Sequence, residues 1–140
     1  MQTSPRVSHV LETSLYVGDL RRSRDFYARI FGFEEFLTDE RLCVMGMPGG
    51  QVLLLFKKGS TDQPAPTPGG TIPAHHGEGH LHLCFAIAGD ELENWERHLS
   101  REGIAVESEV RWSGGGRSLF FRDPDDHSLE VATPGLWPNY

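Results

Sequence analysis

The same order of secondary-structure signals occurs twice in this chain of 140 residues, and any fold must accommodate both copies. In the first, Val10–Val17 alternates, with Leu11, Thr13, Leu15 and Val17 on one face and Glu12, Ser14 and Tyr16 on the other. Asp19 is placed to cap a helix whose Leu20, Ser23, Phe26, Tyr27 and Ile30 share a face, and Gly32 closes it. Strands are expected at Phe33–Leu37, Leu42–Met45 and Gln51–Phe56, the last entered through the Gly49-Gly50 turn. In the second copy, Leu81, Leu83, Phe85 and Ile87 form one strand face and His80, His82, Cys84 and Ala86 the other. Asp90 and Glu93 have the spacing of a capping box, Leu92, Trp95 and Leu99 make the apolar stripe of a helix, and Gly103 ends it. Strands Ile104–Val110, Ser118–Arg122 and Ser128–Thr133 complete the set. Each copy therefore reads βαβββ, an α+β pattern.

The offsets support the pairing of the copies. Glu12 stands 20 residues before Gly32, and His82 stands 21 before Gly103. Glu12 and His82 thus hold equivalent places, and Glu130 on the last strand corresponds to about Leu54. The expected boundaries are a first module over 1–57, a Pro/Gly-rich linker over 58–78, a second module over 79–134 and a tail over 135–140. The tail carries Trp137 and Tyr140, which have either the chain's own core or a partner subunit to pack on.

Composition limits the function classes. With 38% hydrophobic and 24% charged residues the chain is globular rather than disordered. A formal charge of -7 argues against nonspecific nucleic-acid binding, which needs clustered Lys and Arg. The start MQTSPRVSHV lacks the apolar core of a signal peptide, and no run approaches the roughly 20 apolar residues that span a bilayer. The expectation is a cytoplasmic protein that uses no membrane. Cys43 and Cys84 each lie in an apolar segment and read as buried free thiols rather than a disulfide.

Three polar residues sit within strand-like segments: Glu12, His82 and Glu130. Each has a bland reading, namely a carboxylate paired with Arg or Lys, a hydrogen-bonded core histidine, and an exposed strand carboxylate. A charge in a half-buried strand is costly unless something pairs with it, and two carboxylates with an imidazole suit a divalent cation. His80 shares the face of His82 and is the runner-up ligand. His75 and His76 read as chance clustering in a loop, His127 as a turn residue and His98 as a helix-surface residue. Tyr16 shares Glu12's face and is a candidate for the substrate pocket. The glycines of Ser113–Arg117 suit either a flexible hairpin loop or an anion cradle completed by Arg117.

The segments LETSLYVGDLRRSRDFYARIFGF, HLHLCFAI and RSLFFRDPDDHSLEVATP resemble the vicinal-oxygen-chelate superfamily of glyoxalases, bleomycin- and fosfomycin-resistance proteins and extradiol dioxygenases, over roughly residues 8–134. The resemblance implies two βαβββ modules whose mixed sheet curls into a cup around a metal, with helices outside. It implies Glu12, His82 and Glu130 as ligands of one divalent ion (Mn, Fe, Ni or Zn), and a place for Phe120 in the pocket. Many members have His or Gln where Glu12 stands. Four-ligand glyoxalases carry a Glu where this chain has Leu54, so a ligand is lost and metal positions open. Extradiol dioxygenases have Tyr and an acid–base His where this chain has Phe120 and Arg111, which ranks ring cleavage lower.

Two functions compete on these grounds. One is a metal-dependent enzyme acting on a small oxygen-bearing substrate, with lyase or isomerase chemistry ahead of dioxygenation. The other is a metal-free antibiotic-binding protein of the bleomycin-resistance kind, against which the Glu-His-Glu set argues. The resemblance implies a homodimer in either case.

Overall fold

The computed structural model of the chain describes Met1 and residues 3–140, in two compact units, Met1–Gly77 and Glu78–Tyr140. The first contains β1 (Glu12–Val17), α1 (Leu20–Phe31), β2 (Glu34–Thr38), β3 (Leu42–Met47), β4 (Gln51–Lys57) and a small hairpin of β5 (Ala65–Thr67) and β6 (Gly70–Ile72). Its main sheet runs β1-β4-β3-β2, with β1 parallel to β4 and the other pairs antiparallel. The apolar parity of β1 and β4 decides which face α1 covers. Leu15, Val17, Cys43, Met45, Leu53 and Leu55 are buried on it, as are Phe26, Tyr27 and Ile30 of the helix. The Asp19 side chain accepts the Arg22 N–H at 3.1 Å to start α1, and Gly32, at φ 70°, donates to the Ala28 carbonyl to end it.

The second unit repeats the plan with β7 (His82–Ala86), α2 (Leu92–Arg101), β8 (Ser108–Arg111), β9 (Arg117–Arg122) and β10 (Ser128–Ala132). The order is β7-β10-β9-β8, again with the first and last strands parallel. Leu92, Leu99, Leu119, Phe121, Leu129 and Val131 are its buried core. The expected α+β class with two βαβββ modules is the observed one.

Several local expectations change. The capping box at Asp90 does not form: the N-cap is Glu91, whose helical backbone (φ -100°, ψ -5°) gives no side-chain cap. Strand β8 starts at Ser108 rather than Ile104. The Pro/Gly-rich stretch carries the β5–β6 hairpin and belongs to the first unit. Cys43 is buried but Cys84 is exposed. The tail docks on its own unit, where the Tyr140 hydroxyl reaches the carbonyls of Ile87 (3.0 Å) and Ala132 (2.8 Å). No helix among the described residues is long and apolar enough to cross a membrane.

Candidate metal centre

Strand register gathers the polar residues of the second unit. In the parallel pair Ser128 lies opposite His82 and Glu130 opposite Cys84; in the antiparallel pair Glu130 lies opposite Phe120. Side chains alternate along a strand, so His82, Cys84, Ser118, Phe120 and Glu130 share one face while Leu83, Leu119, Phe121, Leu129 and Val131 share the other. The second set is apolar and mostly buried, whereas the first carries the polar groups, of which Ser118 and Glu130 are themselves buried.

Glu130 is only 5% exposed, so its charge needs partners. Oε2 accepts the Ser118 hydroxyl at 2.5 Å, and Ser118 Oγ accepts the Trp112 indole N–H at 2.8 Å. Oε1 lies 3.3 Å from His82 Nε2. The other imidazole nitrogen, Nδ1, is 2.8 Å from the Ser128 carbonyl, which can only accept, so Nδ1 carries a proton. A neutral His82 therefore turns the Nε2 lone pair toward a carboxylate oxygen. The contact is favourable only with a proton or another cation at those two atoms. A proton on Nε2 would make the contact an imidazolium–carboxylate pair, and a metal ion between the two atoms would use the same donors, with the second nitrogen held on a carbonyl.

The surroundings reinforce it. The Cys84 thiol is pushed up to about 12, first by burial, then by the Glu130 charge and by its hydrogen bond to that carboxylate. The residue keeps solvent exposure, yet its sulfur stays protonated beside Glu130. The Phe120 ring stacks on the His82 imidazole, with centroids 6.1 Å apart. His127 is a turn residue, as expected, but a wholly buried one: its Nδ1 accepts the Leu81 N–H at 2.9 Å, while the Leu81 carbonyl accepts the Ser128 N–H. These bonds fix the residue next to His82. The signal for that role lies in DPDDH, whose Asp123 side chain accepts the N–H groups of Asp125 and His127 and whose Asp126 adopts φ 62°.

In the first unit, Glu12 opens β1, is exposed, and forms no ion pair with the described residues, so the Arg- or Lys-paired alternative does not hold for them. Register fixes its equivalence to His82. Glu12 lies opposite Val52 as His82 lies opposite Ser128, which makes Leu54 the counterpart of Glu130. Among the described residues no group of three His, Cys, Asp or Glu side chains is assembled as a metal cluster; His82 and Glu130 are a pair. The runner-up, His80, precedes β7 as an exposed residue.

A profile of the Glyoxalase/Bleomycin resistance protein/Dioxygenase superfamily matches residues 6–131. The chain belongs to this superfamily. It is similar to the metallothiol transferase FosB of Bacillus licheniformis, at 25% identity over 94% of this chain and 77% of that protein. It is also similar to the solved structure of a lactoylglutathione lyase from Agrobacterium tumefaciens, at 32% identity and TM-score 0.86, covering 96% of this chain and 99% of that one. The fold alone is shared with the fosfomycin resistance protein FosX of Listeria monocytogenes, at 21% identity and TM-score 0.67 over 90% of this chain and 91% of that one.

Within this superfamily fold the remaining candidates fall in different places. Tyr16 is buried on Glu12's face of β1, with its hydroxyl engaged by Thr61 and His75. Arg117 lies on β9, and its guanidinium is shared by Glu109 and Glu93. The Gly-rich loop before it closes on itself through Trp112 and Gly116, and Gly135 packs against Gly114 and Gly116 so closely that no Cβ would fit. A tight hairpin with Gly135 of the tail packed on it accounts for those glycines. The organised His75 and His76 were missed because nothing in the spacing of a loop announces which distant strand it will meet.

Proposed function

We propose that the chain is a divalent-metal-dependent enzyme of the glyoxalase/dioxygenase superfamily, acting on a small substrate that chelates the metal through oxygen. Lyase or isomerase chemistry ranks ahead of ring cleavage, because Phe120 and Arg111 stand where a ring-cleaving site would need groups that exchange protons. The observation that carries this reading is the approach of a buried Glu130 carboxylate oxygen to 3.3 Å from His82 Nε2, with the other ring nitrogen held on the Ser128 carbonyl. Glu12 enters the ligand set through the repeat, holding in β1 the place that His82 holds in β7. Likeness to a lactoylglutathione lyase and a metallothiol transferase supports the class of chemistry.

When bound, a Mn(II), Fe(II), Ni(II) or Zn(II) ion would supply Lewis acidity toward a substrate oxygen. The chain's own residues do the rest. Ser118 and Trp112 fix Oε2 of Glu130, leaving Oε1 as the donor. The Ser128 carbonyl fixes the tautomer of His82. Glu12, exposed at the start of its strand, is the carboxylate free to swing and carry a proton. We further propose that the working form is a homodimer, which sedimentation at micromolar concentration tests.

Metal titration of the purified protein is the direct test. Glu130→Gln and His82→Ala are expected to weaken metal binding by at least about 100-fold, the upper range for losing even an outer-shell partner. If wild type and variants hold equally little metal under replete conditions, the metal-free binding protein becomes the better reading. A panel of hemithioacetals, epoxides and catechols, each with the four metals, then sorts the reaction.

A further inference from the structure

The stretch after β6 ends in His75 and His76, and both are tied across the base of the β5–β6 hairpin. The His75 N–H donates to the Thr61 carbonyl at 2.9 Å, and the Thr61 hydroxyl donates back to the His75 carbonyl at 2.5 Å. His76 Nδ1 lies 2.7 Å from an Asp62 carboxylate oxygen. Tyr16 reaches the same place from β1: its hydroxyl is 3.0 Å from Thr61 Oγ1 and 2.6 Å from His75 Nδ1. Phe56, opposite Tyr16 in β4, meets the His75 ring edge-on with centroids 5.1 Å apart. Gly77 lies against the Tyr16 ring, where a Cβ would collide. An open cavity of about 370 Å³ is lined by Asp62, Ala74, His75 and His76.

Counting protons shows which nitrogen of His75 must donate. A carbonyl only accepts, so the single Thr61 hydroxyl proton is committed to the His75 carbonyl. Thr61 Oγ1 can then bond to Tyr16 only by accepting the phenol proton. With that proton used, the short contact between His75 and Tyr16 requires a proton on His75 Nδ1. The three bonds form together only with a proton on Nδ1, which in the neutral imidazole leaves Nε2 as an acceptor. That nitrogen has no hydrogen bond among the described residues, and its ring lines the cavity. The lining adds the Asp62 carboxylate and contains no Lys or Arg.

We infer that the cavity at the foot of the β5–β6 hairpin is a binding site for a small molecule bearing an O–H or N–H donor, which hydrogen-bonds to His75 Nε2 while Tyr16 holds the imidazole in register. Anions are disfavoured there by Asp62. The site uses residues of the first unit alone and needs no metal, so it stands or falls separately from the metal centre.

The test uses metal-free, ¹⁵N-labelled full-length protein, with phenol as the donor probe, anisole as its donor-less counterpart and inorganic phosphate as the anion. Imidazole ¹⁵N spectra are expected to show His75 protonated at Nδ1 and unprotonated at Nε2. Phenol should shift the Nε2 signal and bind about tenfold more tightly than anisole, the worth of one well-made hydrogen bond. Phosphate should leave the signal unmoved. His75→Gln should abolish the preference for phenol, and Tyr16→Phe should release the tautomer. Should Tyr16→Phe fail to fold, His75→Gln, which alters an exposed side chain, still decides the matter. A proton on Nε2 in the wild type, equal binding of phenol and anisole, phosphate binding at His75, or a phenol preference that survives His75→Gln would each overturn the site.

Discussion

At position 54 the first unit has Leu in β4; at the equivalent position of β10 the second unit has Glu130. One residue earlier, both strands carry a fully buried leucine, Leu53 and Leu129. The two units therefore agree on the face that packs against a helix and differ on the face that does not. The apolar face is held constant because burying Leu against α1 or α2 is what makes a sheet of four strands stable. The other face carries no such obligation. In the second unit it holds a carboxylate, an imidazole, a thiol and their donors; in the first it holds Glu12 and Tyr16 beside Val52, Leu54 and Phe56.

If that division is right, the largest effects come from the shared face and are the same on both sides. Leu53→Ala and Leu129→Ala should each cost about 2–5 kcal/mol, the range for truncating a buried leucine. All three tryptophans, Trp95, Trp112 and Trp137, lie in the second unit, so indole fluorescence in a urea titration reports that unit while circular dichroism reports both. Leu129→Ala should move the fluorescence midpoint. A cost at one site and none at the other would break the equivalence of the cores.

The helices sharpen the comparison at a smaller scale. Asp19 caps α1 through its side chain, whereas Glu91 at the start of α2 makes no such bond. Asp19→Ala is expected to cost about 1 kcal/mol and Glu91→Ala almost nothing, measured as shifts in denaturation midpoint. Equal losses would mean that the second helix has a cap of another kind.

The legible part of the molecule was the part governed by local rules. Alternation in β1 and β7, the Asp19 and Gly32 caps and the helix stripes are short-range patterns, and the structure keeps them. The equivalence of Glu12 with His82 was legible because a repeat carries long-range information in the sequence itself. The proton on His82 Nδ1 was not, because it depends on the Ser128 carbonyl 46 residues away. The Tyr16–Thr61–His75 network was hidden for the same reason: its bonds join positions 45 and 59 residues apart. Arg117 is the opposite case. Its neighbouring glycines suggested an anion, but Glu109 and Glu93, one strand and one helix away, already supply the countercharge.

The smallest expected difference between the units is electrostatic. In the second unit Glu93 and Glu107 both sit below the usual carboxylate range. For Glu93 the causes are a backbone hydrogen bond and then Arg117; for Glu107 the cause is Arg122, whose guanidinium nitrogens hold both of its oxygens. A carboxyl whose folded pKa is depressed adds stability above its unfolded pKa, and that contribution fades as pH falls through the folded value. The window therefore lies below the ordinary value of 4.5. Both groups are solvent-exposed, so the effect is modest and screened by salt. Fluorescence-detected urea midpoints should drop from pH 6 to pH 3, and Arg122→Gln should shrink that drop by removing the partner of Glu107. Raising the salt from 0.05 to about 0.5 M should shrink it further, since the Debye length falls from roughly 14 to 4 Å. A drop unchanged by both would place the acid sensitivity of this unit in groups other than Glu93 and Glu107.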